Sequence, residues 1–506
     1  MDHRAYIAID LGAESGRVIV GVHSPDQAPA SDPPRLELIE VHRFLHEPQK
    51  HADGLRWNIE HIWNEMLTGL RAAAAHARAA GLHIVSIGVD TWGVDFILLD
   101  EQDRPLAQPR CYRDPRWQPG VAMVGEKIGY ERLYEITGIQ EMAINTLPQL
   151  ATALALHEPA IAKARRLLMM PDYLHFRLGG EPGNESSIAS TSQMLDATTG
   201  QWSTEVLTKL GLPVSLFNAP FTPGTIRGTL RPEVAKATGL PPTVRIVAPG
   251  SHDTASAVAG VPAGSGPWAY LSSGTWSLLG VELHAPILTE QARRLGFTNE
   301  RGVGGTIRFL KNLIGLWLLQ ELRRDLELAG ALIDYAHLTQ AAAAAEPFRT
   351  LIDASDPSLA APGDMIRKIQ ALARRAGDPL PTTPGELARC CLDSLAMAYR
   401  ACLEDLESLI GRHIDTIHIV GGGTKNELLN QMTADATGRH VLAGPAEATA
   451  AGNVLVQAMA DGQAKNLAAI RQIVARSFEP TLFKPQDAPR WTTEYARYRS
   501  IMEASS

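Results

Sequence analysis

The amino-acid sequence predicts an α/β protein built from two domains that face a central cleft. Strand-like and helix-like segments alternate along the chain, which is typical of this class. A chain of 506 residues also exceeds what a single hydrophobic core usually organises. In addition, each half contains a hairpin with a short polar turn, followed later by a strand, a small-residue turn and a helix. We interpret this repeated order as a diverged duplication.

The first hairpin is predicted from two apolar runs, Tyr6–Leu11 and Arg17–Val22, that flank a small, glycine-containing turn. Asp10 lies at the end of the first run. Backbone N–H groups in such a turn can bind an anion, and an acidic side chain beside it can hold a divalent metal that bridges phosphates. The pattern also fits an ordinary surface hairpin whose aspartate satisfies the turn backbone. These residues alone leave both interpretations open.

The other elements follow from hydrophobic periodicity and from the glycine and proline residues that flank them. In the first half, the predicted strands are Arg35–Phe44, His83–Asp90, Arg165–Met170 and Val244–Pro249, and the predicted helical segments are Ile59–Gly81 and Ala151–Ala164. In the second half, the predicted elements are the hairpin Ala269–Gly280, the strand Thr416–Val420 and the helices Gly385–Leu409, Asn426–Thr437 and Ala446–Asp461. A further apolar helix is predicted to begin at Leu310–Trp317, which places Asn312 near its start.

The composition narrows the expected partners and compartment. A formal net charge of −8 without a basic stripe argues against nucleic acid as the main partner. No apolar run reaches the length of a membrane span, and the first residues lack the pattern of a signal peptide. The 4 cysteines form no C-x-x-C motif, which argues against structural zinc and favours a reducing compartment. We therefore expect a cytoplasmic protein that binds neither nucleic acid nor membranes.

The sequence lacks the two commonest glycine-rich nucleotide motifs. It contains no Gly-Lys dipeptide of a P-loop, and no G-x-G-x-x-G follows a predicted strand. Two features of the second half offer alternatives. Gly421–Gly423 would let the backbone approach a ligand without Cβ clashes, and Thr275 places a hydroxyl on the turn of the second hairpin. Both features also fit structural roles, as a tight strand-to-helix turn and a turn-stabilising threonine.

Asp253 is the candidate catalytic base. It follows the strand Val244–Pro249, at the start of a helix of small residues. An aspartate there fits either a helix cap or a general base that accepts a proton from a substrate hydroxyl. Beyond such a base, phosphoryl transfer mainly needs positioning and charge neutralisation. The run Ser251-His252-Asp253 cannot be a serine triad, because adjacent residues cannot align as nucleophile, base and orienting acid.

A candidate sugar-binding segment reads D-T-W-G-V-D at Asp90–Asp95. It places two acids, a hydroxyl and an indole at one strand end. Acids that accept hydroxyl protons and an aromatic face are typical of sugar sites. A buried tryptophan in a hairpin is the structural alternative.

Taken together, these motifs resemble the FGGY family of carbohydrate kinases, within the actin-like and hexokinase-like ATPase superfamily. The likeness covers nearly the whole chain, from Tyr6 to about Phe483. The motifs that carry it are D-L-G-A-x-S-G-R at Asp10–Arg17, I-G-V-D-T-W-G-V-D-F at Ile87–Phe96, Y-R-D at Tyr112–Asp114, M-P-D-Y at Met170–Tyr173, S-H-D-T-A-S-A-V at Ser251–Val258, Y-L-S-S-G-T-W-S-L at Tyr270–Leu278, L-K-N at Leu310–Asn312, G-L-W-L-L-Q at Gly315–Gln320 and H-I-V-G-G-G at His418–Gly423.

The resemblance implies two RNase H-like domains with ATP and a sugar in the cleft between them. It implies that Asp253 is the catalytic base and that Asp10 helps place Mg²⁺ near the phosphates. The implied ATP contacts are Ala13, Glu14, Ser15, Gly16, Arg17, Thr275, Gln320 and Gly422. The implied sugar contacts are Gly93, His252, Asp253, Thr254 and Asn312.

Glu14 departs from the family pattern, because many relatives carry a small or hydroxyl residue there. An acid in a phosphate loop is adverse unless Arg17 or magnesium offsets its charge, or unless its carboxylate turns away. A direct role of Glu14 in holding the metal is the other interpretation.

We therefore predict an ATP-dependent ketose kinase, acting on L-rhamnulose at its C1 hydroxyl. L-fuculose and L-xylulose are alternative substrates, and an actin-like ATPase without a sugar substrate is an alternative class. The predicted domains are 1–243 with the sugar and phosphate sites, 244–485 with the ATP site and the base, and a C-terminal helix or tail at 486–506. The expected partners are the sugar and ATP, and the protein is expected to be a monomer or homodimer.

Overall fold

The computed structural model describes residues 3–23 and 35–505 of the chain. The strands are β1 His3–Leu11, β2 Ser15–His23, β3 Leu36–Leu45, β4 Gln49–His51, β5 Gly54–Arg56, β6 Leu82–Thr91, β7 Phe96–Leu99, β8 Arg166–Met169, β9 Ile226–Thr229, β10 Arg245–Val247, β11 Trp268–Ser273, β12 Trp276–Leu283, β13 Phe297–Arg301, β14 Ile307–Ile314, β15 Thr416–Val420, β16 His440–Ala443 and β17 Thr481–Phe483.

The helices alternate with these strands along much of the chain. They are α1 Ile59–Ala80, α2 Gln118–Lys127, α3 Tyr130–Thr137, α4 Thr146–Ala155, α5 Pro159–Lys163, α6 Met170–Leu178, α7 Ser186–Ser190, α8 Thr204–Leu210, α9 Pro232–Thr238, α10 Asp253–Ala259, α11 Glu290–Arg294, α12 Trp317–Leu328, α13 Tyr335–Ala344, α14 Met365–Ala376, α15 Pro384–Ile410, α16 Glu427–Thr437, α17 Ala448–Ala460, α18 Leu467–Ser477 and α19 Ala488–Ser505.

The chain forms two compact units, and each is assembled from separate segments. The first unit comprises Met1–Pro262, Glu282–Phe309 and Ala448–Phe478. The second unit comprises Ala263–Val281, Leu310–Glu447 and Glu479–Ser506. This division differs from the predicted boundary at residues 243 and 244, and it places Asp253 in the first unit. The physical reason is that β10 pairs with β6 of the first sheet, and α10 packs on α17.

The sheet of the first unit has the strand order β3-β2-β1-β6-β10-β9. The predicted hairpin is confirmed, since β1 and β2 pair antiparallel with Asp10 opposite Arg17. Strand β6 runs parallel to β1, with Asp10 beside Asp90, and β10 runs parallel to β6. Parallel neighbours bring the carboxyl ends of β1, β6 and β10 to the same edge of the sheet.

Helices cover both faces of this sheet because side chains of β1 alternate between them. Ile7 and Ile9 belong to a core that includes Ile62 and Met66 of α1. Tyr6 and Ala8 belong to a second core with residues of α17 and α18. Asp10 is two residues after Ala8 on β1, so its side chain lies on the same face of the sheet as Tyr6 and Ala8, which is the face that α17 covers.

Helix α1 follows the predicted segment closely. The Asn58 side chain accepts a hydrogen bond of 3.0 Å from the backbone N–H of His61 and caps the first turn. Gly81 ends the helix in the left-handed region, at a φ of 66°. Between these ends, Ile62, Met66 and Leu70 are buried at helical spacing.

A second sheet has seven strands in the order β13-β14-β12-β11-β15-β16-β17, and the six from β14 to β17 repeat the arrangement of the first sheet. Strands β11 and β12 form the predicted second hairpin, and β15 and β16 follow as parallel neighbours. Each sheet ends in an antiparallel edge strand, which is β9 beside β10 in the first sheet and β17 beside β16 in the second. The repeat predicted from the order of elements is therefore present in the sheet topology.

One predicted element is wrong. Leu310–Trp317 does not begin a helix: residues up to Ile314 belong to β14, and α12 begins at Trp317. Asn312 consequently lies on a strand. A short apolar run is compatible with either element, and here the place beside β12 in the sheet decides in favour of the strand.

The cysteines are buried within the fold. Cys111, Cys390, Cys391 and Cys402 are all free thiols. Across the described ranges, no helix combines the length and hydropathy needed to cross a lipid bilayer.

Candidate active site

The sheet of the first unit gathers acidic side chains at one edge. Asp10 and Asp90 are direct neighbours on β1 and β6. Beyond β10, the chain continues the parallel pairing through a bridge between Thr91 and His252. The backbone N–H of Thr91 donates to the carbonyl of Ser251 at 2.9 Å. Because Asp253 directly follows His252, this register places Asp253 at the same edge of the sheet as Asp10 and Asp90.

Asp10 is bound by Arg17 in the structure. The two residues face each other across the hairpin and form an ion pair with little solvent exposure. The loop itself comprises only residues 12–14, closed by a 3.0 Å hydrogen bond from Gly12 N to Ser15 O. Ser15, Gly16 and Arg17 are already part of β2, so the predicted turn is shorter than Ala13–Arg17, and Arg17 reaches the acidic edge from the strand.

Asp90 is fully buried. Asn453 of α17 donates a 2.5 Å hydrogen bond to its Oδ2. Burial raises the pKa of Asp90 well above its ordinary value, and the negative charges of Asp10 and Asp253 raise it further. The edge therefore concentrates negative charge in a dry environment, where a cation or a proton is strongly favoured.

Asp253 is the first residue of α10, as predicted. Its Oδ1 accepts hydrogen bonds from the backbone N–H of Thr254 at 2.5 Å and from the Thr254 hydroxyl at 3.1 Å. Burial raises the pKa of Asp253, the neighbouring His252 opposes that rise, and the charge of Asp10 adds to it. The side chain keeps partial access to solvent, which a base that meets a substrate hydroxyl requires.

Helix α10 is held against α17 by close backbone contact. A Cβ on Gly452 of α17 would lie 1.8 Å from the carbonyl oxygen of Ser256. A Cβ on Gly260, just beyond α10, would lie 2.3 Å from the carbonyl oxygen of Ala448. Glycine at both positions thus allows α10, the helix that carries Asp253, to lie this close to α17.

His252 is buried beside Asp253, with its Nε2 at 3.4 Å from Asp253 Oδ1. Its Nδ1 lies 3.1 Å from Glu300 Oε2, and Glu300 is paired with Arg308 at 2.9 Å. Sequence reasoning missed Glu300 and Arg308, and it also missed Asn453. No local motif marks these three residues, which are far from Asp253 in sequence.

Gly93 lies in the loop between β6 and β7. A Cβ at this position would lie 3.2 Å from Thr191, so the approach is tight. The next residue, Val94, has a φ of 68°, a left-handed conformation that is rare for a β-branched residue. Thr191 Oγ1 accepts from the Val94 N–H at 3.0 Å, and the Thr146 hydroxyl donates to the Val94 carbonyl at 2.6 Å. Tertiary contacts thus impose the shape of this loop.

Asp95 acts as an internal acceptor. Its Oδ2 accepts from the indole N–H of Trp57 at 2.6 Å and of Trp92 at 3.0 Å, and its Oδ1 accepts from Gln149 at 3.1 Å. Burial raises the pKa of Asp95 to about 6 against these hydrogen bonds. The Asp95 side chain is therefore used in hydrogen bonds that stabilise this loop. Gly93 is the residue of this segment that remains a candidate sugar contact.

The second unit brings together three other predicted residues around its hairpin turn. The Thr275 hydroxyl donates to Gln320 Oε1 of α12 at 3.3 Å, and the Thr275 carbonyl accepts from the backbone N–H of Trp317 at 3.2 Å. A Cβ on Gly423 would lie 2.0 Å from Ser273 Oγ, whereas a Cβ on Gly422 would meet nothing within 4 Å. The glycine turn therefore packs on β11 and leaves Gly422 open to a ligand.

Glu14 turns its carboxylate toward Arg113, with Oε1 at 3.4 Å from the guanidinium. Half of the Glu14 side chain is exposed, 52%. Arg17 is engaged with Asp10 instead. Of the interpretations drawn from the sequence, this geometry fits a carboxylate that turns away, here toward Arg113.

Comparisons with known proteins agree with the motifs. The model described as the FGGY family of carbohydrate kinases, N-terminal domain, matches residues 5–260, and the model of its C-terminal domain matches residues 269–460. A rhamnulokinase of Bacteroides thetaiotaomicron is 42% identical over 497 residues, covering 98% of this chain and 99% of that protein. A rhamnulokinase of Enterococcus faecalis is 39% identical, covering 100% and 99%. Among solved structures, a ligand-bound xylulose kinase from Lactobacillus acidophilus superposes with a TM-score of 0.80 at 15% identity, covering 99% of this chain and 98% of that one.

Proposed function

Because this chain belongs to the FGGY family of carbohydrate kinases, we propose that it transfers the γ-phosphoryl group of ATP to the C1 hydroxyl of L-rhamnulose. The observation that carries the choice of sugar is full-length similarity to rhamnulokinases, at 42% and 39% identity. Kinases of this family use ATP, and the chain contains the motifs that the family shares. The geometry around Asp253 supports the chemical part of the proposal.

In this reaction Asp253 is the general base. Its carboxylate accepts the proton of the C1 hydroxyl while the hydroxyl oxygen forms a bond to the γ-phosphorus. The bond from that phosphorus to the bridging oxygen breaks, and its electron pair leaves with ADP. Asp253 suits this role because it is partly accessible and because burial raises its pKa toward the range in which a base is effective.

Magnesium fits the acidic edge. Mg²⁺ at nucleotide sites is usually bound by one or two carboxylates together with phosphates and water. Within the described residues, no cluster of three or more His, Cys, Asp or Glu side chains is arranged to hold a metal by itself. Besides burial, charge repulsion from Asp10 raises the pKa of both Asp90 and Asp253, and a cation would relieve that repulsion. We propose that Asp10 holds Mg²⁺, which neutralises phosphate charge when bound.

The remaining roles are assigned within each unit. In the first unit, we propose that the segment Ala13–Arg17 contacts the phosphates, and that Gly93, His252 and Thr254 contact the sugar. In the second unit, we propose that Thr275, Gln320 and Gly422 contact ATP and that Asn312 contacts the sugar. The contact between Thr275 and Gln320 and the open space at Gly422 support this assignment.

A panel of ketoses tests the choice of substrate. We expect L-rhamnulose to give the highest kcat/KM when ADP release is coupled to NADH oxidation, with L-fuculose and L-xylulose as competitors. Product analysis by ³¹P and ¹³C NMR should place the phosphate on C1. Equal rates with all three sugars, or faster turnover of L-xylulose, would contradict the proposal for L-rhamnulose while leaving a carbohydrate kinase.

Glu14 provides a second test. We expect Glu14→Gln to change the KM for ATP by less than about threefold, because an exposed ion pair such as Glu14–Arg113 contributes only about 0–1 kcal/mol. Arg17→Gln is the contrasting variant, because it leaves Asp10 without its buried partner, and we expect it to raise the KM for ATP about tenfold or more. Steady-state kinetics at fixed Mg²⁺ measure both. Loss of activity in Glu14→Gln would instead indicate that its carboxylate holds the metal.

A further inference from the structure

A buried chain of charged side chains leads away from Asp253. Its first member is His252, whose Nδ1 lies 3.1 Å from Glu300 Oε2. Its last member is Arg308, whose guanidinium lies 2.9 Å from the same carboxylate. The side chains of Glu300 and Arg308 are 8% and 0% exposed. A fully buried arginine is rare unless it is paired. Glu300 is the partner of Arg308 here, and the place of this pair beside His252 suggests a role beyond packing.

Glu300 and Arg308 are fixed by the backbone that carries them. Glu300 lies on β13 and Arg308 on β14. The segment between these strands is closed by a 2.8 Å hydrogen bond from Gly302 N to Thr306 O. In addition, Arg308 Nε donates to the carbonyl of Arg301 at 3.1 Å. The carboxylate therefore meets His252 from a rigid platform.

The hydrogen-bonding pattern of the imidazole follows from these neighbours. Arg308 lies 3.0 Å from His252 Nδ1 in a hydrogen bond, and because a guanidinium can only donate, Nδ1 is the acceptor. We therefore assign the imidazole proton to Nε2, which faces Asp253 Oδ1 at 3.4 Å, and we pair the Glu300 carboxylate with Arg308. Burial would raise the pKa of Glu300, but the charge of Arg308 and the neighbouring His252 ring outweigh burial and lower it to about 2. Glu300 is thus a stable anion.

We propose that Glu300 is a positioning residue for phosphoryl transfer that acts through Arg308 and His252. Glu300 holds the guanidinium that donates to Nδ1, and this contact fixes the ring so that the Nε2 edge faces Asp253 and the sugar hydroxyl. A partner on the far nitrogen sets the tautomer and orientation of a histidine in this way at many sites. The proposal rests on the proposed function, since it takes Asp253 as the base that receives the hydroxyl proton.

The competing explanation is a buried ion pair that only stabilises β13 and β14. Buried pairs are often neutral for stability, whereas removing one partner is strongly destabilising. Loss of stability in a variant therefore cannot distinguish the two explanations. A dependence of the kinetic effect on His252 can distinguish them, because residues that act as one unit give strongly non-additive effects.

The test is a double-mutant cycle with Glu300→Gln and His252→Ala. We expect Glu300→Gln to lower kcat about tenfold or more, with the KM for ATP changed less than about twofold. In the His252→Ala background, the same substitution should lower kcat by less than about twofold further. Equal losses in both backgrounds, or a kcat of Glu300→Gln within twofold of the unaltered enzyme, would overturn the proposal.

Asp461→Asn is the matched control. Asp461 is a buried carboxylate paired with Arg4 and Arg245, and Arg4 lies on β1 about 20 Å before Asp10 at strand spacing. This variant loses the same kind of buried charge away from the acidic edge, so its kcat should remain within about twofold at temperatures well below its Tm. If Glu300→Gln does not fold, Glu300→Asp, which withdraws the carboxylate by one methylene, replaces it in both backgrounds.

A crystal structure of the Glu300 variant gives a readout that needs no substrate. We expect the His252 ring to leave its place beside Asp253, where Nε2 now lies at 3.4 Å. An unmoved ring would overturn the positioning role whatever the sugar is. The kinetic cycle uses whichever of L-rhamnulose, L-fuculose and L-xylulose the unaltered enzyme phosphorylates fastest. Failure of L-rhamnulose as substrate is therefore recorded separately from failure of Glu300 as a positioning residue.

Discussion

Asp253→Asn is expected to lower kcat for sugar phosphorylation by about 10²–10⁴-fold, the contribution of a positioned general base. The asparagine side chain has nearly the same shape and can still accept the two hydrogen bonds from Thr254. It cannot take a proton from the sugar hydroxyl. The expected result is thus a folded protein that binds ATP and sugar but transfers the phosphoryl group very slowly. Stopped assays of sugar phosphate and calorimetric titration with ATP measure the two properties separately.

Asp100→Asn is the control for this substitution. Asp100 follows β7 and accepts hydrogen bonds from residues of its own loop, including Arg104. We expect its kcat to equal that of the unaltered enzyme. If Asp253→Asn keeps a kcat within about threefold of normal, Asp253 is not the base, and one of the other two carboxylates of the edge must be considered.

Gly452→Ala is expected to destabilise the first unit severely. The added methyl carbon would lie 1.8 Å from the carbonyl oxygen of Ser256 and 3.1 Å from the backbone nitrogen of Gly260. Both obstacles are main chain, so no side-chain rotation relieves the overlap. Overpacking of this kind costs about 1–3 kcal/mol or more, which corresponds to a fall in Tm of about 2–5 °C or more for a unit of this size.

Activity should fall together with stability in Gly452→Ala, because separating the helices displaces either α10, which carries Asp253, or α17, whose Asn453 hydrogen-bonds Asp90. Differential scanning calorimetry and kcat at 20 °C measure the two effects. Gly264→Ala is the matched control, since a Cβ at Gly264 would meet nothing within 4 Å. A Tm of Gly452→Ala within about 1 °C of that of Gly264→Ala would contradict the close packing of α10 on α17.

Local patterns in the sequence predicted the hairpins, α1 and the start of α10 correctly. These elements depend on alternation, on helical spacing and on caps such as Asn58 and Gly81, all of which act over a few residues. The motif S-H-D-T also marked Asp253 before its surroundings were known. The helix predicted at Leu310–Trp317 is wrong because a short apolar run fits a strand or a helix equally well, and only its neighbours in the sheet decide.

By itself, therefore, the sequence determined the α/β class, the repeated order of elements, the kinase family and the candidate base. Only the tertiary structure decided that residues 448–478 return to the first unit, that Asn453 hydrogen-bonds Asp90, and that Glu300 and Arg308 reach His252. The physical reason is one of range. Propensity and capping act between near neighbours in the chain, whereas strand register, desolvation and charge pairing act between residues that are distant in sequence.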